Sequence, residues 1–152
     1  MSAFSHLNEK NEATMVDISQ KHKSYRVAIV QGTVQIDCKH KKQFTNKIIK
    51  EIINTAKIAG IITSKYTSIL IPHCHQISLT HIDIDISFKK DSFIINAKTK
   101  AYAKTGVGME AFLGCQITAL TIYDIIKAIA PHSIIGPFKL INKIAGKKIF
   151  YN

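Results

Sequence analysis

HIDIDISFKKDSFIINAKTKAYAK, residues 81–104, contains two runs in which apolar and polar residues alternate. In residues 81–88, isoleucine and phenylalanine alternate with aspartate and serine, which predicts a strand with one buried face. A second run, residues 93–104, places one set of small and apolar side chains on a single face: Ile95, Ala97, Thr99, Ala101 and Ala103. The connection of four residues, 89–92, has the length of a hairpin loop, so we expect neighbouring antiparallel strands.

Upstream of this hairpin the sequence predicts one strand and one helix. Residues 25–36, YRVAIVQGTVQI, are rich in β-branched residues and predict a strand, in which Gly32 indicates a bulge. Isoleucines and alanines then recur at helical spacing. Because Thr45 or Asn46 can cap a helix and a proline follows, we expect the helix to begin near these residues and to end before Pro72.

Downstream of the hairpin the sequence predicts a second helix and a last strand. Residues 109–130 contain no proline and are apolar on nearly every side, so we expect a helix buried between layers or subunits. Pro131 ends this helix. Residues 133–141, SIIGPFKLI, predict a strand in which Pro137 indicates an edge or a strand end.

The order of elements is therefore strand, helix, strand, strand, helix, strand. This βαββαβ order predicts an α+β fold of the ferredoxin-like type, a four-stranded antiparallel sheet with two long helices on one face. Residues 1–20 are polar and lack periodicity, and they predict an N-terminal arm that is mobile or docked on a partner. We expect residues 21–152 to form a single domain.

Composition limits the protein class. The chain has 152 residues, 46 % of them hydrophobic, so a sizeable core can form without disulfides. No run approaches the roughly 18 apolar residues of a membrane span, and the first 20 residues are polar. We expect a cytoplasmic protein without a membrane partner. The three widely spaced cysteines, Cys38, Cys74 and Cys115, argue against a disulfide framework and against a four-ligand zinc site.

The second helix carries the first candidate for chemistry. Asp124 and Lys127 are three residues apart on one helical face. A carboxylate in such apolar surroundings requires a partner, which favours an internal ion pair or an acid/base residue beside a phosphate-binding ammonium group. Glu110 lies fourteen residues earlier, about 40° away on the helical wheel, so one stripe can carry all three groups.

Three further segments carry candidate ligand-binding groups. His73, Cys74 and His75 supply too few ligands at strand spacing for a metal, so we expect no metal site and favour contact with a ligand. The turn at residues 104–110 contains two glycines and opens a helix, which is either an anion-binding turn or merely a tight one. The C-terminal lysines form either a solvated tail or an anion-binding cluster: Lys139, Lys143, Lys147 and Lys148.

Several longer words of the sequence resemble one protein family over nearly the full length. The words are FSHLNEKNEATMVDIS at 4–19, AKIAGIITSK at 56–65, LIPHCHQISLTHIDI at 70–84, AKTGVGMEA at 103–111, ALTIYDIIKA at 119–128 and IIGPFKLINK at 134–143. They resemble the MoaC family, the cyclic pyranopterin monophosphate synthases of molybdenum cofactor biosynthesis.

This resemblance implies an activity, a set of residues and an assembly. The implied enzyme is a lyase that converts (8S)-3′,8-cyclo-7,8-dihydroguanosine 5′-triphosphate into cyclic pyranopterin monophosphate and diphosphate. The implied catalytic residues are Asp124, Lys127 and Lys143. The implied substrate-binding residues are His73, Cys74, His75, Met109, Glu110 and Lys147. The resemblance also implies a ferredoxin-like fold and a homohexamer, a trimer of dimers with active sites at subunit interfaces, and it implies neither a cofactor nor a metal.

Two alternatives remain beside the active synthase. The family motif G-V-E-M-E has its first glutamate where this chain has Gly108, and its expected lysine near residue 50 falls on Ile49 or Lys50. These departures motivate an impaired or inactive relative that still oligomerises and binds nucleotide. The net charge of +11 motivates a nucleic-acid binder. Since Arg26 is the only arginine and the strands lack an aromatic RNA-binding pair, we expect no nucleic-acid partner.

Overall fold

The computed structural model describes residues 4–37, 42–145 and 148–151, the last four by their backbone. Cys38 and Lys147 lie outside the described residues. The elements in chain order are β1 (Ser24–Gln35), α1 (Asn46–Lys65), α2 (Thr67–Leu70), β2 (His81–Lys89), β3 (Ser92–Ala103), α3 (Gly108–Ile126), β4 (Ile134–Ile135), β5 (Lys139–Ala145) and β6 (Lys148–Tyr151).

All strand pairs of the sheet are antiparallel, and the main strand order is β2-β3-β1-β5-β6, with β4 paired to β1. The first four strands of this order follow the ferredoxin-like arrangement, in which the crossover through α1 leaves β3 between β1 and β2. The predicted fold class is therefore confirmed. The strand count differs from four, because the predicted last strand is divided into β4 and β5 and because β6 is an additional strand.

The hairpin β2–β3 forms where the alternation predicts it. Its strands pair from His81 with Lys100 to Lys89 with Ser92, so the loop is only Lys90 and Asp91. Both loop residues have positive φ, 46° and 59°, which is the backbone conformation that matches the twist of a two-residue hairpin. The predicted inward face of β3 is buried along its whole length.

Both long helices lie on the same face of the sheet. The Ile84 Cδ1 atom from β2 lies close to Gly60 of α1 and to Gly114 of α3. A Cβ atom at Gly60 would overlap with Thr118 Oγ1, and one at Gly114 would overlap with Ser64 Oγ. The two glycines therefore allow α1 and α3 to pack closely above the buried isoleucines.

The beginning of α1 confirms the predicted cap. Thr45 is extended, and its hydroxyl accepts a hydrogen bond from Ile48 N at 3.4 Å. This bond satisfies one of the N–H groups that the first helical turn leaves without a partner. The helix ends at Lys65, well before Pro72.

The bulge expected at Gly32 is wrong. Strand β1 pairs with β3 in continuous register through Gly32 and Ile95, and its only irregularity faces β5, between Ile29 and Val30. Gly32 is required for packing instead, because a Cβ atom there would overlap with the Phe138 ring and lie 2.9 Å from Cys115 Sγ. The missing side chain makes room for the half-buried Phe138 ring and the buried Cys115.

The C-terminal strand is interrupted where Pro137 predicts a strand end. Ile134 and Ile135 pair with β1, and pairing resumes at Lys139 after the Gly136–Pro137 step. Proline has no backbone N–H to donate to the ladder, so the strand breaks into β4 and β5. The chain then turns back as β6, which covers the outer edge of β5.

Helix α3 ends at Ile126, four residues before the predicted end. Of the helices in residues 4–37, 42–145 and 148–151, α3 alone is long and apolar enough to cross a membrane. Eight of its residues are buried, and it packs on α1, β1 and β3. The core helix of a folded domain has the same composition, and the contacts of α3 identify it as a core helix.

Candidate active site

A cleft of about 100 Å³ opens at the N-terminal end of α3. Three parts of the chain form its walls: the N-terminal arm, the segment after α2, and the turn between β3 and α3. The lining residues are His6, His73, Cys74, His75, Ile77, Thr105, Gly106, Met109 and Glu110. Five of the predicted substrate-binding residues thus share one cavity, although they come from segments that are distant in sequence.

Hydrogen bonds from the sheet hold the turn that opens α3. The buried Thr99 hydroxyl donates to Val107 O at 2.8 Å. Arg26 reaches across from β1 and donates to Ala103 O at 3.3 Å and to Lys104 O at 3.4 Å. The only arginine of the chain therefore positions the backbone beside the cleft, a task that suits the several donors of a guanidinium group.

Glu110 is the buried acid of the cleft, with 4 % of its surface exposed. Its Oε2 has no hydrogen-bond partner among the described residues. Burial raises the pKa of Glu110 to about 7, and a hydrogen bond from its own backbone N–H offsets only part of this effect. A carboxyl group with this pKa can take up or release a proton near neutral pH.

Ser64 of α1 contacts the backbone of Glu110. The Ser64 hydroxyl lies 3.0 Å from Glu110 O and 3.0 Å from Gly60 O, so it links α1 to the first turn of α3. Since Ser64 is itself buried, this contact fixes where the first turn of α3 sits relative to α1.

The segment after α2 brings a thiol and two imidazoles to the same cleft. Cys74 N donates to Ile71 O at 3.1 Å, which makes the turn that presents Cys74 and its two histidine neighbours. Burial, and then the charge of Glu110, raise the pKa of Cys74, so the thiol stays protonated. Within the residues that the structure describes, no three His, Cys, Asp or Glu side chains are placed to hold a metal ion.

Lys143 borders the same cleft from the sheet side. It lies on β5 opposite Ala28, whose side chain is fully buried under the helices. Opposite residues of an antiparallel pair share a face, so Lys143 also projects toward the helices. A Cβ atom at Gly106 would lie 3.4 Å from Lys143 Cε and 3.8 Å from its Nζ. The structure therefore places this predicted catalytic lysine next to a lining residue of the cleft.

Asp124 and Lys127 are not part of this cleft within one chain. They form an ion pair with an Oδ1–Nζ distance of 2.6 Å, but the side chains of Lys127 and Asp124 are 57 % and 69 % exposed. Fourteen residues separate Asp124 from Glu110, which is about 21 Å along a helix. The expected pair is present, whereas its expected burial and the single stripe shared with Glu110 are wrong.

The course of the buried stripe explains this difference. The stripe on α3 follows every fourth residue and includes Ile122 and Ile126. Asp124 is two residues from each, about 200° around the helix from either, so it faces away from the core. The sequence alone does not distinguish the two sides of an almost uniformly apolar helix.

The N-terminal arm contributes residues that the sequence did not single out. The His6 ring stacks on the His73 ring, with centroids 5.5 Å apart and an interplanar angle of 19°. Ser19 O accepts a hydrogen bond from Lys104 Nζ at 2.7 Å, which anchors the end of the arm. A hydrogen bond from Ser19 N at 2.8 Å, with smaller effects of Lys104 and His75, lowers the pKa of Asp17. The arm lacks periodicity, so only the resemblance to known proteins points to it.

A second groove of about 220 Å³ adjoins the cleft and shares three lining residues with it, His75, Ile77 and Thr105. Lys23 and Lys104 also line it, so its charge is mainly positive. Together the two cavities form a continuous surface that runs from Glu110 past His75 to the lysines.

Comparison with known proteins identifies the family. The model of the MoaC family matches residues 15–146. A cyclic pyranopterin monophosphate synthase of Helicobacter pylori strain Shi470 is 42 % identical over 153 residues, which cover 98 % of this chain and 97 % of that protein. The chain belongs to the MoaC family. The MoaC resemblance of the sequence words is thereby confirmed.

Other proteins of the same name extend this finding. The one from Geobacillus thermodenitrificans is 37 % identical, with 99 % of this chain and 97 % of that protein covered. The one from Clostridium perfringens strain SM101 is 39 % identical, with 98 % and 97 % covered. A de novo designed protein with a ferredoxin fold is 13 % identical, covers 80 % of this chain and 90 % of its own, and has a TM-score of 0.43. The ferredoxin-like assignment depends on the strand order and not on that weak likeness.

The MoaC motif at the start of α3 departs from the family at Gly108. A Cβ atom at this position would have nothing within 4 Å, so the described surroundings leave room for the glutamate that is absent. Helix α3 and the cleft at its N-terminal end are formed around Gly108. Nothing in the described part of this MoaC chain favours the inactive alternative.

Proposed function

We propose that this chain is a cyclic pyranopterin monophosphate synthase, an enzyme of molybdenum cofactor biosynthesis. Its substrate is (8S)-3′,8-cyclo-7,8-dihydroguanosine 5′-triphosphate, and its products are cyclic pyranopterin monophosphate and diphosphate. The observation that carries the proposal is the 42 % identity to proteins of this name over 98 % of the chain. We also propose that the enzyme is a phosphorus–oxygen lyase, because the new cyclic phosphate forms as diphosphate departs.

The charges around the cleft suit a polyphosphate substrate. A triphosphate carries about four negative charges near neutral pH, and ammonium groups stabilise both the bound anion and the departing diphosphate. Lys143 borders the cleft, and Lys104 and Lys23 line the adjoining groove. We propose that these lysines hold the anionic part of the substrate, and that Lys147 takes part with them.

The acid and the imidazoles of the cleft suit the ring chemistry. Opening the guanine-derived ring and closing a new one both require proton transfers. Glu110 has a pKa of about 7 and is therefore present in both protonation states near neutral pH. We assign Glu110, His75 and His73 to contacts with the ring system, with Cys74 and Met109 at the wall, and Asp124 to a proton transfer at the reacting centre.

The distance between Asp124 and the cleft requires a second chain if both act on one substrate. Asp124 lies about 21 Å from Glu110 along α3, and its exposed ion pair with Lys127 is at the other end of the helix. In a trimer of dimers, the C-terminal end of α3 from one chain can meet the cleft of another. We therefore propose a homohexamer whose active sites lie at subunit interfaces.

Exposed apolar side chains support such an assembly. Five of them follow α1 and α2 at helical spacing: Ile58, Ile62, Tyr66, Ile69 and Leu70, each between 49 % and 73 % exposed. On α3, Leu120 and Ile125 are also exposed, close to Asp124. Large apolar patches of this kind mark interfaces. Multi-angle light scattering should give the mass of six chains, whereas a stable monomer would refute the interface site.

Cytoplasmic localisation is part of the proposal, because the nucleotide substrate is a metabolite of that compartment. Fractionation should place the protein with other cytoplasmic enzymes, and recovery in the membrane fraction would contradict this assignment.

The direct test is a product assay. Purified protein is incubated with the cyclised dihydro-GTP, and diphosphate and the pterin product are both quantified. We expect stoichiometric formation of the two products, and no turnover by Asp124→Asn. Absence of both products from the folded wild-type protein would refute the proposed function and would favour the nucleotide-binding, inactive alternative.

A further inference from the structure

His6 lies in the cleft, although no function has been assigned to it above. Its ring stacks on His73 at a centroid distance of 5.5 Å, and both rings line the cavity that contains Glu110. The N-terminal arm thus supplies part of the wall of the cleft. In this position His6 can cover His73 and can also contact a ligand bound in the cleft.

The arm around His6 has a defined conformation, which is the first argument for a specific role. Thr14 N donates to His6 O at 3.0 Å, and Leu7 forms a bridge with Ala13. The Asn8 side chain accepts from two backbone N–H groups, those of Lys10 and Glu12, at 2.9 Å each. These bonds close a short loop that begins at His6, so the backbone that carries the ring is ordered by the loop itself.

The orientation of the ring is the second argument. A stacked pair uses the faces of both imidazoles, so the ring nitrogens of His6 remain at its edge. Within the described residues neither ring nitrogen of His6 has a hydrogen-bond partner, and the side chain is exposed at the mouth of the cleft. An imidazole N–H held in this way can donate to an oxygen of a bound ligand.

The composition of the cleft is the third argument. The Glu110 carboxyl gives one side of the cleft a hydrogen-bond acceptor. An anionic substrate requires hydrogen-bond donors on the other sides of the cleft. His6 and His73 supply imidazole donors there, and Lys143 supplies an ammonium group near Gly106. We propose that His6 is a further substrate-binding residue, whose ring N–H donates a hydrogen bond to the bound nucleotide. This inference rests on the proposed function, because the ligand is taken to be the cyclised dihydro-GTP.

The test separates a hydrogen bond from packing. His6→Ala removes the ring, His6→Phe keeps a stacking ring without an N–H, and His81→Ala is a matched control for an exposed histidine on β2. We expect both His6 variants to raise KM about tenfold with kcat nearly unchanged, which is the effect of losing one hydrogen bond made equally to substrate and transition state. His81→Ala should leave both constants unchanged.

Wild-type kinetics from His6→Phe would overturn the inference, since a ring without an N–H would then suffice. Unchanged KM in His6→Ala would overturn it as well, while turnover by the wild type would still support the proposed function.

A second readout does not depend on turnover. Diethyl pyrocarbonate should modify His6 in the free protein, and the cyclised dihydro-GTP should protect His6 but not His81, as read by peptide mass spectrometry. Equal modification of His6 with and without the nucleotide would contradict the proposed contact.

Discussion

Replacing Glu110 by glutamine should change the stability of the protein in a way that depends on pH. The stability of Glu110→Gln relative to the wild type should be higher at alkaline pH than at acidic pH. The Glu110 carboxyl is buried and has a pKa of about 7, compared with 4.5 for an unperturbed glutamate. The folded state therefore binds this proton more tightly than the unfolded state does. As pH rises from about 4.5 to 7, the contribution of Glu110 to the stability of the wild type falls, and the fall is complete above the folded-state pKa.

The magnitude follows from the two pKa values. A difference of this size, at about 1.4 kcal/mol per pKa unit, corresponds to about 3 kcal/mol. Glutamine has the same shape and does not titrate, so the free energy of unfolding of Glu110→Gln relative to wild type should rise by about 3 kcal/mol between about pH 4.5 and 8. For a chain of this length, that equals about 6–12 °C in Tm.

Thermal unfolding measured across this pH range provides the assay. Protein concentration must be held constant, because the stability of an oligomer depends on it. Glu51→Gln is the matched control for the loss of one glutamate carboxyl, since Glu51 is exposed on α1. A difference between Glu110→Gln and wild type that does not change with pH would refute the conclusion that Glu110 is a buried carboxyl with a raised pKa.

Three further predictions follow from the packing of α1 on α3 and from the two ends of α3. Gly60→Ala and Gly114→Ala should each lower the free energy of unfolding by about 1–3 kcal/mol in urea denaturation, because the added methyl overlaps with atoms of the facing helix. Gly108→Ala is the control, and it should leave the free energy of unfolding unchanged because the space around its Cβ is open. Asp124→Asn should abolish turnover in the product assay and leave the free energy of unfolding nearly unchanged, since the side chains of Asp124 and Lys127 are both exposed. A marked loss of stability would instead point to a structural role for Asp124. Gly108→Glu should fold normally and increase kcat if the missing glutamate limits the rate, and an unchanged kcat would show that Gly108 is not the limiting departure from the family motif.

The sheet and its helices follow from local patterns in the sequence. Alternation over residues 81–104 predicts the hairpin and the buried face of β3, because each side chain on a strand occupies one of only two faces. Thr45 predicts the beginning of α1 by its capping hydroxyl. Pro137 predicts the division between β4 and β5. Strand β6 is less predictable, because a short edge strand depends on the neighbour to which it pairs.

The site depends on contacts between distant segments and is predictable only in part. The sequence words identify Glu110, His73 and Lys143 as candidates, and the structure places them around one end of α3. The same words identify Asp124, but helical periodicity does not reveal that Asp124 faces outward, because α3 is apolar on almost every side. His6 escaped detection because its position depends on the hydrogen bonds of a loop without periodicity.

The most direct measurement of the central claim, that one active site combines the cleft of one chain with Asp124 of another, uses two inactive variants. Asp124→Asn and Lys143→Gln are each purified, shown to be inactive, and then mixed under conditions in which subunits exchange. In a randomly mixed oligomer, half of the Asp124 groups and half of the clefts are intact, so about one quarter of the shared sites should recover wild-type activity. Activity that stays at the level of the separate variants after verified exchange would contradict the shared site.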